Sequence, residues 1–134
     1  MIALSAGSSS RSWIEAEVAD LVGARVYVES VAELVAALGR GSASRHDLLV
    51  LDLDLMQAAD VRDLKAAIET KWWNGMIVGL GAPREIQRRY LEIERVIARP
   101  FGSEALRSIV EKIDPDHRDT QPLIERVAEI ERRR

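Results

Sequence analysis

The sequence predicts a three-layer α/β domain in which five parallel strands alternate with five helices, followed by one additional C-terminal helix. Three observations predict this class. Short apolar runs alternate along the chain with segments whose apolar residues recur at helical spacing. The run from Leu48 to Leu51 is apolar at every position, which is typical of a strand covered on both faces. The connections are short, and right-handed crossovers of this kind give a doubly wound parallel sheet with helices on both sides.

Composition and charge limit the functions that this chain can have. Its 134 residues suffice for one domain with a sizeable apolar core. The chain contains no cysteine and its two histidines are far apart, which argues against disulfides and against a zinc site. No apolar run is long enough to span a bilayer, and the net charge of -3 comes from intermixed signs, so we expect no membrane anchor and no direct nucleic-acid binding. Because no signal peptide is recognisable, we expect a cytoplasmic location.

Each predicted strand is followed by a helix whose start is marked in the sequence. The strands are expected, in order, at residues 2–4, 25–29, 47–52, 76–80 and 95–98. The helices are expected to begin at a capping residue, or at a proline suited to the first turn, in order at Ser12, Ser30, Asp60, Pro83 and Ser103. Ser12 with Glu15 and Ser30 with Glu33 have the spacing of a capping box, although the first helix could begin a few residues earlier. Ile93 is assigned to the apolar face of the fourth helix.

The chain divides near its C-terminus into two parts. Residues 1–113 hold the five strand and helix units, and an Asp-Pro-Asp break precedes a helical extension over 114–134. The apolar stripe of the extension comprises Leu123, Val127 and Ile130. This stripe fits packing on the parent domain as well as pairing with a partner helix, which leaves a homodimer open.

Two local strings, taken with the order of the elements, resemble a known family. The first is the string DLLVLD that ends at Asp52, and the second is the string RPF that begins at Arg99 after the fifth strand. In this order they resemble the CheY-like receiver domain of bacterial response regulators, which has a flavodoxin-like fold, over residues 1–113. The resemblance implies a two-component signal-transduction domain in which Asp52 stands at the phospho-accepting position.

The phosphoryl transfer of that family needs a divalent cation, and most of its ligands are missing here. The cation neutralises the phosphoryl oxygens while the acceptor attacks in line. In the family, an acidic pair just after the first strand holds the cation with the acceptor, whereas this chain has Ser5 and Ala6 at those positions. Asp52 and backbone carbonyls alone make a poor site for a hard cation. Asp54 could supply a second carboxylate, but the direction of its side chain is left open.

Three further positions depart from the family pattern. Gly81 replaces the hydroxyl residue after the fourth strand, and Val96 replaces the aromatic switch residue. Arg99 replaces the lysine that pairs with the phosphate, and it presents a planar fork in place of a compact ammonium. Asp52 is therefore either a remaining acceptor or the partner of Arg99 in an ion pair that fills the pocket from within.

Three functions remain open on this sequence. The departures resemble those of the pseudo-receivers, which implies a non-catalytic signalling module that binds a protein partner without phosphorylation and without metal or cofactor. The first alternative is a phosphorylatable receiver with Asp52 as the acceptor. The second alternative is a sensor of a small phosphorylated ligand, because Gly7, Ser8, Ser9 and Ser10 offer N–H groups and hydroxyls before a helix.

Candidate contact residues for a protein partner lie mainly in the second half of the chain. In the receiver family, the fourth helix, fifth strand and fifth helix form the common partner face, and the C-terminal helix is a second candidate here. Arginines on the fourth helix favour an acidic partner, and consecutive tryptophans offer an interface anchor. The candidate residues are Arg84, Arg88, Tyr90, Val96, Trp72 and Trp73.

Overall fold

A computed structural model describes residues 1–5, 7–38, 48–71 and 73–112. Its five strands are β1 (Ile2–Leu4), β2 (Val26–Val28), β3 (Leu48–Asp52), β4 (Met76–Leu80) and β5 (Ile93–Ile97). All neighbouring strands are parallel, and their order across the sheet is β2-β1-β3-β4-β5. This arrangement confirms the predicted doubly wound sheet, which is flavodoxin-like.

Five helices pack on the two faces of the sheet. They are α1 (Ser8–Val18), α2 (Val31–Leu38), α3 (Ala58–Thr70), α4 (Glu85–Tyr90) and α5 (Ala105–Glu111). α1 and α5 cover one face and the other three cover the opposite face, so the predicted three layers are present. No helix within the described ranges is long and apolar enough to cross a membrane. The additional C-terminal helix and the division after residue 113 lie outside the described residues.

The central strand sends alternate side chains into two separate apolar cores. In β3, Leu49 and Leu51 join the core under α2, α3 and α4, whereas Leu48 and Val50 join the core under α1 and α5. All five residues of β3 are buried, as expected for a strand with helices on both faces. The strand thereby holds Asp52, its last residue, at the carboxyl edge of the sheet.

The edge strand β5 contains an irregularity that the sequence did not reveal. Its register with β4 shifts between Ile93 and Arg95, so that Glu94 is an extra residue and forms a bulge. The bulge reverses the alternation, and Ile93 packs into the core under α4 while Ile97 packs into the opposite core. The assignment of Ile93 to the fourth helix is therefore wrong, because α4 ends before it.

The first three helix starts agree only in part with the predicted caps. The backbone N–H of Glu33 donates to Ser30 Oγ at 3.2 Å, which confirms the cap of α2. Asp60 is not the N-cap of α3, because the helix begins before it. Its carboxylate instead accepts a hydrogen bond at 2.9 Å from the backbone N–H of Gln57, the residue that precedes the helix. Ser12 lies inside α1, because that helix already begins at the serine loop.

The last two helices, in contrast, begin later than predicted. Arg84 precedes α4, so Pro83 stands before the helix rather than in its first turn. Glu104, with a left-handed φ of 66°, precedes α5, and Ser103 does not cap it. The start of α5 differs because the carboxylate of Glu17, on α1, accepts hydrogen bonds from its first N–H groups.

Candidate functional site

The carboxyl edge of the sheet brings together four of the residues singled out in the sequence. Ser5 follows β1, Asp52 ends β3, Gly81 follows β4 and Arg99 follows β5. From β1 the chain continues to β2 on one side, and from β3 it continues to β4 on the other side. Open α/β sheets hold their ligands at such a switch point, here between β1 and β3. We therefore take this edge as the candidate site.

A single guanidinium holds the acceptor-like carboxylate. Arg99 Nη2 donates to both Oδ1 and Oδ2 of Asp52 at 3.1 Å, and Arg99 Nε donates to Oδ2 of Asp54 at 3.1 Å. The ion pair between Asp52 and Arg99, one of the two possibilities that the sequence left open for Asp52, is thus present, and Asp54 joins it. Burial lowers the pKa of Arg99, but hydrogen bonds and charge from both aspartates outweigh burial and raise that pKa overall.

Asp54 reaches the pair because the chain turns immediately after β3. Leu53–Leu55 forms one turn of 3-10 helix, and the backbone N–H of Asp54 donates to Asp52 Oδ1 at 3.1 Å. Asp52 therefore closes this turn while it binds Arg99. Both carboxylate oxygens of this buried side chain are engaged within the chain.

The donors at this edge do not fit a hard divalent cation. Ser5 is buried and contributes no carboxylate, and Ala6 lies outside the described residues. Asp52 and Asp54 both already bind Arg99, whose charge would repel a cation placed between them. In the part of the chain that the structure describes, no group of three or more His, Asp or Glu side chains could hold a metal ion.

Gly81 is favoured by its backbone conformation, and the space around it would accept a Cβ in ordinary van der Waals contact. Its φ of +98° lies where L side chains are strained. A Cβ at this position would stand 3.5 Å from Asp54 Oδ2 and 3.8 Å from Arg99 Nε. The left-handed backbone at Gly81, which the sequence alone did not show, disfavours any side chain at this position.

The position of the family's aromatic switch carries an exposed aliphatic side chain. Val96 is 45 % exposed and pairs in register with Gly79 of β4. A Cβ on Gly79 would lie 2.8 Å from Leu53 Cδ1, so Leu53 occupies the space beside the strand. Gly79 thus allows the close approach of Leu53, while the Val96 side chain is exposed.

No protein-family model, no curated protein and no solved structure matches the chain. The chemistry of the site therefore has to be argued from its own geometry.

Two side chains, one just before α4 and one within it, support the loop after β3. Arg84 Nη2 donates to the carbonyl oxygens of Leu53 and Met56 at 3.2 and 2.5 Å. Gln87, which is fully buried, donates from Nε2 to the Leu53 carbonyl at 2.8 Å. The guanidinium of Arg84 is thus used inside the domain, and Gln87 is a supporting residue that sequence reasoning missed. Gln87 stands three residues after Arg84, and its Oε1 accepts a hydrogen bond from the backbone N–H of Arg84. This capping-box spacing was the only signal for Gln87 that we find in the sequence.

The remaining partner candidates differ in their exposure. Arg88 is exposed and has no charged partner within the described ranges. Tyr90 and Trp73 are half-buried and pack against the core under α2, α3 and α4. Trp72 lies outside the described residues. The structure therefore places Arg88 and Val96 at the surface and turns Tyr90 and Trp73 partly inward.

The serine loop forms the start of α1. Gly7, with a φ of 86°, precedes the helix and provides no side-chain cap. Ser9 is exposed and Ser10 is half-buried, whereas the side chain of Ser8 is outside the described structure. Anion binding at this loop stays a prediction.

A buried glutamate fixes the loop that carries Arg99, and sequence reasoning missed it. Glu17 Oε1 accepts from Leu106 N at 3.0 Å, and Glu17 Oε2 accepts from Glu104 N at 3.1 Å. Nearby, the ring of Trp13 on α1 stacks on Phe101, with centroids 4.8 Å apart. Contacts from α1 therefore hold the middle and the C-terminal end of the connection between β5 and α5, and Arg99 lies in this connection.

Proposed function

We propose that this domain is a non-catalytic signalling module with a receiver-like fold, which binds a protein partner independently of aspartyl phosphorylation. The observation that carries the proposal is the occupation of both Asp52 oxygens by Arg99. A receiver presents the corresponding carboxylate to a cation and a phosphoryl donor. Here the guanidinium of Arg99 binds the same two oxygens.

In-line attack by Asp52 would require two unfavourable changes. Arg99 would have to leave a carboxylate whose side chain is only 6 % exposed, and a buried charge without its partner is costly. A divalent cation would then need ligands beyond Asp52 and Asp54, and Ser5 supplies no carboxylate. Both requirements argue against phosphoryl transfer at this edge.

The exposed edge of the sheet supports the binding part of the proposal. β5 is an edge strand whose middle residues Glu94, Arg95 and Val96 are exposed. Val96 offers apolar area, while Arg95 and the nearby helix residue Arg88 offer positive charge. A partner with an apolar contact surrounded by acidic side chains would complement this face.

Phosphorylation is tested on the full chain with magnesium and either acetyl phosphate or beryllofluoride. Intact-mass measurement is expected to show no phosphoryl adduct, and the amide spectrum is expected to stay unchanged around Asp52 and Arg99. A phosphorylatable receiver serves as the positive control, and Asp52→Asn identifies signals from other sites. An adduct that Asp52→Asn abolishes would overturn the proposal in favour of a phosphorylatable receiver.

Partner binding is tested by affinity capture with surface variants. Val96→Asp and Arg88→Glu are expected to lose a partner that the unaltered chain retains. Arg62→Glu, an equally exposed charge reversal on α3, is the matched control and should keep it. Equal capture by all three variants would contradict the assignment of this face.

A further inference from the structure

A cleft of about 610 Å³ opens at the amino-terminal edge of β4 and β5, at the opposite end of the sheet from Asp52. The cleft exists because α4 is short. α4 has 6 residues and spans about 9 Å, whereas α3 has 13 residues and spans about 20 Å. Both helices start near the carboxyl edge, so α4 ends while α3 continues. The sheet beyond the end of α4 is left uncovered.

Aromatic and aliphatic side chains form the inner walls of this cleft. Trp73 and Tyr90 both line it, and each also packs against the core beneath, which fixes their rings. Ile68 and Leu91 complete the apolar lining. The faces of aromatic rings attract cations, most strongly where water is partly excluded.

The rim of the cleft carries an excess of negative charge. Glu69 lies 3.5 Å from Lys65 and forms an ion pair with it. Glu92 and Glu94 are exposed, line the same cleft and have no cationic partner among the described residues. Two uncompensated carboxylates therefore stand beside two aromatic rings.

We propose that this cleft binds an organic cation, namely an alkylguanidinium or alkylammonium group. Its apolar stem would lie against Trp73 and Tyr90, and Glu92 with Glu94 would neutralise its charge. Such a group is carried by an arginine or lysine side chain of a peptide, or by a free amine. The inference does not depend on the proposed function. The two share only Glu94, whereas the proposed function relies on the Asp52–Arg99 pair and, for partner binding, on Val96, Arg95 and Arg88.

The site is tested by NMR titration of the isotopically labelled full chain. The probes are butylguanidinium, a blocked Gly-Arg-Gly peptide and the same peptide with neutral citrulline. Both cations should produce saturable shifts at the amides of Gly75, Ile77 and Leu91, and the citrulline peptide should produce none. Tighter binding of the arginine peptide would identify a peptide source, and tighter binding of butylguanidinium would identify a free small-molecule cation.

Paired variants separate this site from general attraction to an acidic protein. Glu92→Gln with Glu94→Gln should weaken binding of the better cation about tenfold. Glu29→Gln with Asp63→Asn removes the same charge from exposed positions away from the cleft and should leave the affinity unchanged. Absence of saturable shifts, equal shifts with citrulline, or equal weakening by both pairs of substitutions would overturn the proposal.

Discussion

Arg99 shows how one side chain can change the chemistry of a whole site. A lysine presents one compact ammonium, whereas the guanidinium of arginine presents several N–H groups in a fixed plane. Arg99 uses this plane to bind two carboxylates at once, with Nη2 on Asp52 and Nε on Asp54. The arginine at the position where receivers carry a lysine was visible in the sequence. Its contact with Asp54 was not, because that contact depends on the 3-10 turn after β3.

Removal of this guanidinium should destabilise the domain. We expect Arg99→Ala to lower the free energy of unfolding by about 2 kcal/mol, because Asp52 stays buried without its partner. The loss stays below the roughly 3 to 5 kcal/mol of a fully buried pair, because the Arg99 side chain is 45 % exposed. Combining Arg99→Ala with Asp52→Asn should cost less than the sum of the single changes. Urea unfolding of the four proteins measures this coupling, and additivity within about 0.5 kcal/mol would rule the interaction out.

The backbone at Gly81 gives a second prediction about a single residue. Gly81→Ala should destabilise the domain by about 1 to 2 kcal/mol, since its φ of +98° strains an L side chain. Gly102→Ala is the control, because an added Cβ meets no atom within 4 Å and the backbone there is not left-handed. It should be neutral or slightly stabilising. Thermal unfolding compares the two, and equal midpoints would contradict the strain at Gly81.

At the scale of elements, α5 is capped by a residue from another helix. Glu17 on α1 accepts from the N–H groups of Glu104 and Leu106, which the predicted cap Ser103 does not satisfy. We expect Glu17→Ala to cost about 2 kcal/mol and Glu17→Gln, which keeps one acceptor, about half of that. Hydrogen exchange should accelerate at the first amides of α5.

A serine on the same helix provides the control for this cap. Ser12 is exposed and lies inside α1, so Ser12→Ala should change the free energy of unfolding by less than about 0.5 kcal/mol. A loss as large as that of Glu17→Ala would mean that the effect comes from α1 itself rather than from the cap of α5.

Local patterns predicted the elements better than they predicted the contacts between them. The cap at Ser30 and the buried strand β3 depend on neighbouring residues, and both were found from the sequence. The cap from Glu17 and the bulge at Glu94 depend on partners far along the chain. No local pattern marks such partners, so these features required the structure. The short length of α4 escaped prediction because the start of β5 continues its apolar spacing.

At the scale of the whole molecule, a polar cluster between α1 and β2 links stability to pH. The hydroxyl of Tyr27 and the guanidinium of Arg25 both donate to Glu15. The bond from Tyr27, helped by Arg25 and opposed by burial, lowers the pKa of Glu15 below its ordinary 4.5. Burial, followed by the bond to Glu15, raises the pKa of Tyr27 above its ordinary 10.0.

These directions set the sign of the pH dependence. As pH falls, the unfolded chain binds a proton at Glu15 at a higher pH than the folded chain does. The contribution of Glu15 to the free energy of unfolding is therefore full above pH 4.5 and is lost as pH drops through the lowered pKa. Tyr27 contributes below pH 10.0, and its contribution is lost as pH rises. We expect Glu15→Gln to reduce the fall in the free energy of unfolding between about pH 7 and about pH 3, as measured by urea unfolding. An unchanged slope would contradict the lowered pKa.

The parallel sheet and the layers followed from the sequence because they depend on a pattern repeated along the chain. Five apolar runs alternate with helical segments, and the handedness of the crossovers leaves few arrangements. The position of Asp52 and its ion pair with Arg99 followed in turn, since parallel strands end at one edge. The cleft beside Trp73 and Tyr90 did not, because its volume depends on where α4 stops.

The extra residue in β5 has a mechanical consequence for the edge of the sheet. Because Glu94 shifts the alternation, Ile93 is anchored among the helices on one side and Ile97 among those on the other. The strand therefore packs against both helical layers at this edge of the sheet, while its middle residues are exposed. Shortening this segment by that one residue would loosen the attachment of one layer.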